Sequence, residues 1–186
     1  MDEAERLRRE LQREVEILER LGTRRLKLAQ TRGAPPGWQA DWDKANRDLW
    51  EQVRVLSTPA EHALAQLRQG DPSPIPWVIA FLEADPWFFR SGYLKGNYAR
   101  VLRRYDLDPN QRERLRAAIL NNLHKGGRLE FGEVRRLARR LDTPDLRRQV
   151  AKFLDHPDPG TRERAQLLLA SCALNDQSGR DLRSER

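Results

Sequence analysis

The sequence predicts an all-α fold, a short stack of three to four helical hairpins behind a long N-terminal amphipathic helix or helical hairpin. Three observations carry that expectation. Apolar residues recur at three- and four-residue steps along much of the chain. A capping side chain followed by proline recurs at Ser73-Pro74, Asp108-Pro109 and Thr143-Pro144, spaced 35 residues apart. Glycine- or proline-containing breaks then divide each 35-residue span into two helical stretches.

The first element covers Asp2 to Thr31, where Ala4, Leu7, Leu11, Val15, Leu18 and Leu21 draw one narrow stripe among Glu and Arg. Glu5 and Arg9, and Glu16 and Arg20, stand four apart in the favourable acidic-first order. The segment RGAPPG, 32–37, must end the helix, because proline cannot continue the hydrogen-bond ladder and glycine favours turns. A second stripe, Trp38, Trp42, Ala45, Leu49, Val53 and Leu56, lets the two helices close as an antiparallel hairpin. A coiled-coil homodimer through the N-terminal helix is the competing reading. Thr58-Pro59 reads as a further capped start, opening a helix to Gln69.

Beyond residue 71 the 35-residue period also appears in the apolar positions. Ala99, Val134 and Leu169 share one phase, and Leu102, Leu137 and Cys172 share another three residues on, which places both on one helix face. Repeated hairpins of this length point to an α-solenoid. The expected organisation is therefore N-terminal and capping helices over 1–70, a repeat region over 71–175 and a disordered tail over 176–186.

DPGTRERAQLLLA, 158–170, resembles the inter-helix turn and second helix of HEAT repeats, the HEAT-like (armadillo-type) α-helical repeat proteins. The residues concerned are Asp158, Pro159, Thr161, Arg162, Ala165 and Leu168. Asp85, Pro86, Phe89 and Arg90 echo them, with Tyr93 where the family has Ala, while the middle span lacks the Asp-Pro turn. The resemblance covers roughly 74–173. It implies a right-handed solenoid with a structural ladder role for Asp85, Arg90, Asp158 and Arg162. It also implies a choice among protein scaffolds, transport receptors and, in one group resembling alkylpurine DNA glycosylases, DNA binders.

Composition narrows the function classes. The chain has 186 residues, enough for one domain of ordinary size or one with an appendage. Its 35 basic residues, 30 of them Arg, face 28 acidic ones, a formal +7. A single cysteine, Cys172, cannot form an internal disulfide, and its apolar phase reads as a buried small hydrophobe. No apolar run reaches the roughly 20 residues of a membrane span, and MDEAERLRRE lacks a signal peptide's apolar core, so a cytoplasmic protein is expected.

No catalytic, cofactor or metal motif is legible. His62, His124 and His156 lie far apart, Gly126-Gly127 lacks the phosphate-loop spacing, and Glu130 and Glu133 read as a solvated acid pair. The expected function is a non-enzymatic helical-repeat adaptor that holds a protein partner. Binding of DNA or RNA through a basic surface, Arg100 to Arg148, is the alternative, and a HEAT-like DNA-modifying enzyme is a second.

The charge is localised. From Trp87 to Phe153 there are 17 basic and 7 acidic residues. The stretch DPWFFRSGYLKGNYAR, 85–100, admits two readings. In one, Trp87, Phe88 and Phe89 bury a hairpin corner; in the other, Tyr93 and Tyr98 stay open beside Arg90, Lys95 and Arg100 to stack bases and pair phosphates. With Arg103, Arg104, Arg135, Arg136, Arg139 and Arg140, these five complete the candidate binding set.

Overall fold

The computed structural model describes residues 3–31, 36–125 and 130–184, with described side chains ending at Ala173. The chain is all-α: the described residues form eight α-helices and one short 3-10 helix, and no strand. They divide into two compact units, Met1–Ser91 and Gly92–Arg186.

The first unit contains α1 (Glu3–Gln30), α2 (Trp38–Arg68) and α3 (Ile75–Ala84). Helices α1 and α2 run antiparallel. Trp38 Nε1–H donates to the Leu28 carbonyl at 2.7 Å, Arg24 approaches Asp48 at 3.8 Å, and Gln52 Nε2–H donates to the Glu14 carbonyl at 3.1 Å. Partners thus descend on α1 as they ascend on α2. The stripe residues Leu11, Val15 and Leu18 are buried, and α1 packs on both α2 and α3, so the apolar seam is covered within one chain. At the hairpin's closed end Trp38 stacks on Trp42, with the Arg25 guanidinium over the Trp42 ring. Residues 32–35 of the expected break lie outside the described residues; Gly37, at φ 96°, supplies the left-handed turn before α2.

Two helix starts, and the packing of one helix, differ from expectation. Thr58-Pro59 does not open a helix, because α2 runs through it for 31 residues. Pro59 deprives the Val55 carbonyl of its helical N–H partner. The helix survives because Pro59 and Val55 lie on the exposed side while the adjoining Leu56 and Ala60 are buried. Ser73 does not cap α3, because its N–H and hydroxyl are both donated to the Asp71 carboxylate, at 2.8 Å each, and Pro74 becomes the flanking residue. The α3 segment, placed by the sequence at the head of the repeat region, packs with α1. Seven of its ten residues are buried, so it requires cover on most sides.

The second unit holds α4 (Ser91–Leu102), α5 (Pro109–Asn122), α6 (Phe131–Arg140), α7 (Pro144–Ala151) with the 3-10 turn Lys152–Asp155, and α8 (Pro159–Ser184). Here the punctuation works as read. Asp108 makes a full capping box with Gln111, and the Thr143 hydroxyl accepts from the Leu146 N–H. Asp158 accepts from both the N–H and the hydroxyl of Thr161, at 2.7 and 2.8 Å. Leu102, Leu137 and Cys172 are all buried, whereas Val134 and Leu169 of the companion phase are only half-buried.

One buried arginine and two half-buried ones tie these helices together. Arg164 donates to the Leu123 carbonyl at 2.7 Å, Arg116 to that of Leu141 at 2.9 Å, and Arg147 grips Asp142 and reaches the Cys172 carbonyl at 3.3 Å. Asp158 and Arg162, expected in a ladder, bond within their own turn, Arg162 to the carbonyls of His156 and Pro157. The expected break at Gly126-Gly127 lies outside the described residues. The backbone of α8 continues as helix to Ser184, past residue 176 where the sequence predicts disorder; no proline follows Pro159 to stop it.

Candidate functional site

The corner after α3 is built to a fixed shape. Asp85 closes α3 in the left-handed region at φ 50°, its N–H bonded to the Phe81 carbonyl at 3.0 Å. Phe88 turns inward and meets Phe81 edge-on, and its N–H donates to the Ser91 hydroxyl at 3.2 Å. Arg90 then takes φ 71°, a conformation costing a residue with a Cβ about 1 kcal/mol or more. The result is a display. Trp87 is 76% and Phe89 74% exposed, so of the three aromatics expected to bury the corner only Phe88 does so.

On α4, helical phase sorts the candidate residues into two opposed stripes. Ser91, Lys95, Tyr98 and Leu102 are all buried, Lys95 at 2% and Tyr98 at 0% exposure. Tyr93, Asn97 and Arg100 occupy the opposite face, Tyr93 60% exposed, and Arg104 follows in the turn after the helix. Lys95 and Tyr98 therefore leave the candidate binding set. Their residue types suit a binding surface, but their spacing from Ser91 and Leu102 places them on the inner stripe.

The glycines of α4 face Glu130, the residue that flanks the start of α6. A Cβ on Gly96 would stand 3.7 Å from the Glu130 backbone, and one on Gly92 only 2.8 Å from a Glu130 carboxylate oxygen. Glu130 and Glu133 are consequently not a solvated pair. Glu130 is buried, and Glu133 is the centre of an arginine cluster. Its Oε1 accepts from Arg100 at 3.0 Å and Arg136 at 2.7 Å, and its Oε2 from Arg103 at 2.9 Å. Burial by itself raises the Glu133 carboxyl, but the Arg100 hydrogen bond and the charges of Arg100, Arg136 and Arg103 outweigh it, so the net shift is downward. One carboxylate among three guanidiniums leaves two positive charges uncompensated.

Arg104, Arg139 and Arg140 are exposed and Arg135 half-buried, all within the second unit. That unit carries 21 basic and 13 acidic residues, +8, against 14 and 15, −1, in the first; together they give the chain's +7. Arg90, the remaining candidate, is exposed in the first unit's corner. The sequence reading missed Trp87 and Phe89 as displayed residues and Glu133 as an organiser. Only part of the signal for Glu133 is local: Arg136 lies three residues on, but Arg103 and Arg100 lie 30 and 33 residues back, where no local pattern shows them.

Among the described residues no group of His, Cys, Asp and Glu is placed to hold a metal ion, and no helix is long and apolar enough to cross a membrane. Compared with known protein families, curated proteins and solved structures, the chain matches none.

Proposed function

We propose that the protein is a non-enzymatic adaptor that binds a protein partner, with Trp87 and Phe89 as its apolar anchors. The observation that carries this reading is the fixed corner that holds two large aromatics in solvent while a third, Phe88, secures it from beneath. Aromatic side chains presented rigidly supply contact area at little entropic cost and dominate binding energy where they enter a partner's pocket. Backbone strain at Arg90 fits a corner shaped for display, since a purely structural turn would favour glycine there.

We also propose that the helices after α3 form a short HEAT-like hairpin stack. The Xaa-Pro caps at Asp108 and Thr143, 35 residues apart, and the buried phase of Leu102, Leu137 and Cys172 support it. A photo-crosslinking residue placed at position 87 in the native cell tests the partner reading. It should give one discrete protein adduct, and the same probe at buried position 123 should give none. A diffuse ladder at position 87, or the same adducts at both positions, would sink it.

A further inference from the structure

We propose that the outer face of α4, together with the Glu133-centred arginines, is a binding site for single-stranded nucleic acid, separate from the aromatic corner. The argument begins with charge. Arg100, Arg103 and Arg136 all lie within 3.0 Å of one carboxylate, which aligns three guanidiniums but neutralises only one. Arg100 and Arg136 remain about half-exposed, and Arg103 keeps part of its guanidinium side chain in solvent although its Nε is buried. The Glu133 carboxylate therefore fixes where the guanidiniums stand and leaves their outer N–H groups for an anion. Arginine's planar fork matches phosphate oxygens better than a point charge does.

The chemistry around the cluster selects among anions. The arginines are exposed to solvent, with Arg140 one turn beyond Arg136 on α6 and Arg104 four residues beyond Arg100 in the turn after α4. Such an array suits a chain of phosphates more than one small ion. Tyr93 then adds what an acidic peptide would not require. It stands two turns from Arg100 on the same exposed stripe, with Asn97 between them donating to the Tyr93 carbonyl. A phenol ring in line with arginines is a platform on which an unpaired base stacks while its phosphates meet the guanidiniums. Bases inside a duplex present no free face to it, hence the preference for a single strand.

Fluorescence anisotropy of the full chain with a labelled oligothymidylate tests this. With three to four phosphate contacts, affinity should fall roughly 15- to 60-fold between about 50 and 200 mM salt. Arg100→Gln/Arg136→Gln should weaken binding and flatten the salt slope by about 1.4, whereas Arg100→Lys/Arg136→Lys should keep most of the slope. Tyr93→Ala should weaken binding roughly tenfold with the slope unchanged. Duplex of the same length should bind more weakly than the single strand. The proposal is overturned by absent binding at 50 mM salt, by an unaltered slope in the glutamine variant, or by polyglutamate competing as well as unlabelled oligonucleotide; the last would assign the surface to an acidic protein. Crosslinking at position 87 is independent of these outcomes.

Discussion

Arg90 and Gly96 show how a single backbone position constrains this protein. At φ 71°, Arg90 bears a steric cost that glycine would not, while glycine loses more freedom on folding, about 0.5–1 kcal/mol. Arg90→Gly should therefore leave stability unchanged or raise it by up to about 1 kcal/mol, and Arg90→Val should lower it by more than 1, as read by urea unfolding. A Cβ at Gly96 meets Glu130 only at ordinary contact distance, and alanine gains helix propensity of about 1 kcal/mol. Gly96→Ala should accordingly be neutral or stabilising, whereas Gly96→Leu forces α4 and α6 apart and should cost about 1–3 kcal/mol. Neither constraint was legible in the sequence: a glycine's neighbour 34 residues away, and an arginine's positive φ, are properties of the folded chain.

At the scale of elements, legibility followed how local the cause was. Asp108-Pro109 and Thr143-Pro144 were readable because the capping atoms and the groups they cap lie within three residues. Ser73-Pro74 misled because Asp71, two residues earlier, takes the serine's hydrogen bonds. Thr58-Pro59 misled because the packing of α1 against α2 holds the helix straight through a residue that locally opposes it. Pro59→Ala restores the N–H toward Val55 without touching the buried Leu56 and Ala60, and should stabilise by about 1–3 kcal/mol in thermal or urea unfolding. On α4 the phase was present in the sequence, and the pattern Ser91, Lys95, Tyr98, Leu102 could have placed Lys95 and Tyr98 inside.

For the molecule as a whole, charge is the organising property, and it also sets the response to acid. Asp158 is held below its ordinary value by hydrogen bonds from the Thr161 hydroxyl and N–H, Asp71 by those from Ser73, and Asp145 by those from Gln149 and Arg148. In each case the unfolded chain takes up a proton at higher pH than the folded one. Their contribution is therefore complete above about pH 4 and is lost as the pH falls through the lowered folded values. The thermal midpoint should stay level from about pH 7 to 5 and drop below about 4, less steeply in Asp158→Asn. The net +8 of the second unit and near-neutrality of the first were countable from the sequence, but the boundary at Ser91 that separates them was not. The central claim, that the aromatic corner holds a protein partner, is tested most directly by affinity capture from the native cell with and without nuclease. The account predicts a defined protein that survives nuclease, is retained by Arg100→Gln/Arg136→Gln and is lost in Trp87→Ser/Phe89→Ser. Capture abolished by nuclease, or undiminished in the Trp87→Ser/Phe89→Ser protein, would contradict it.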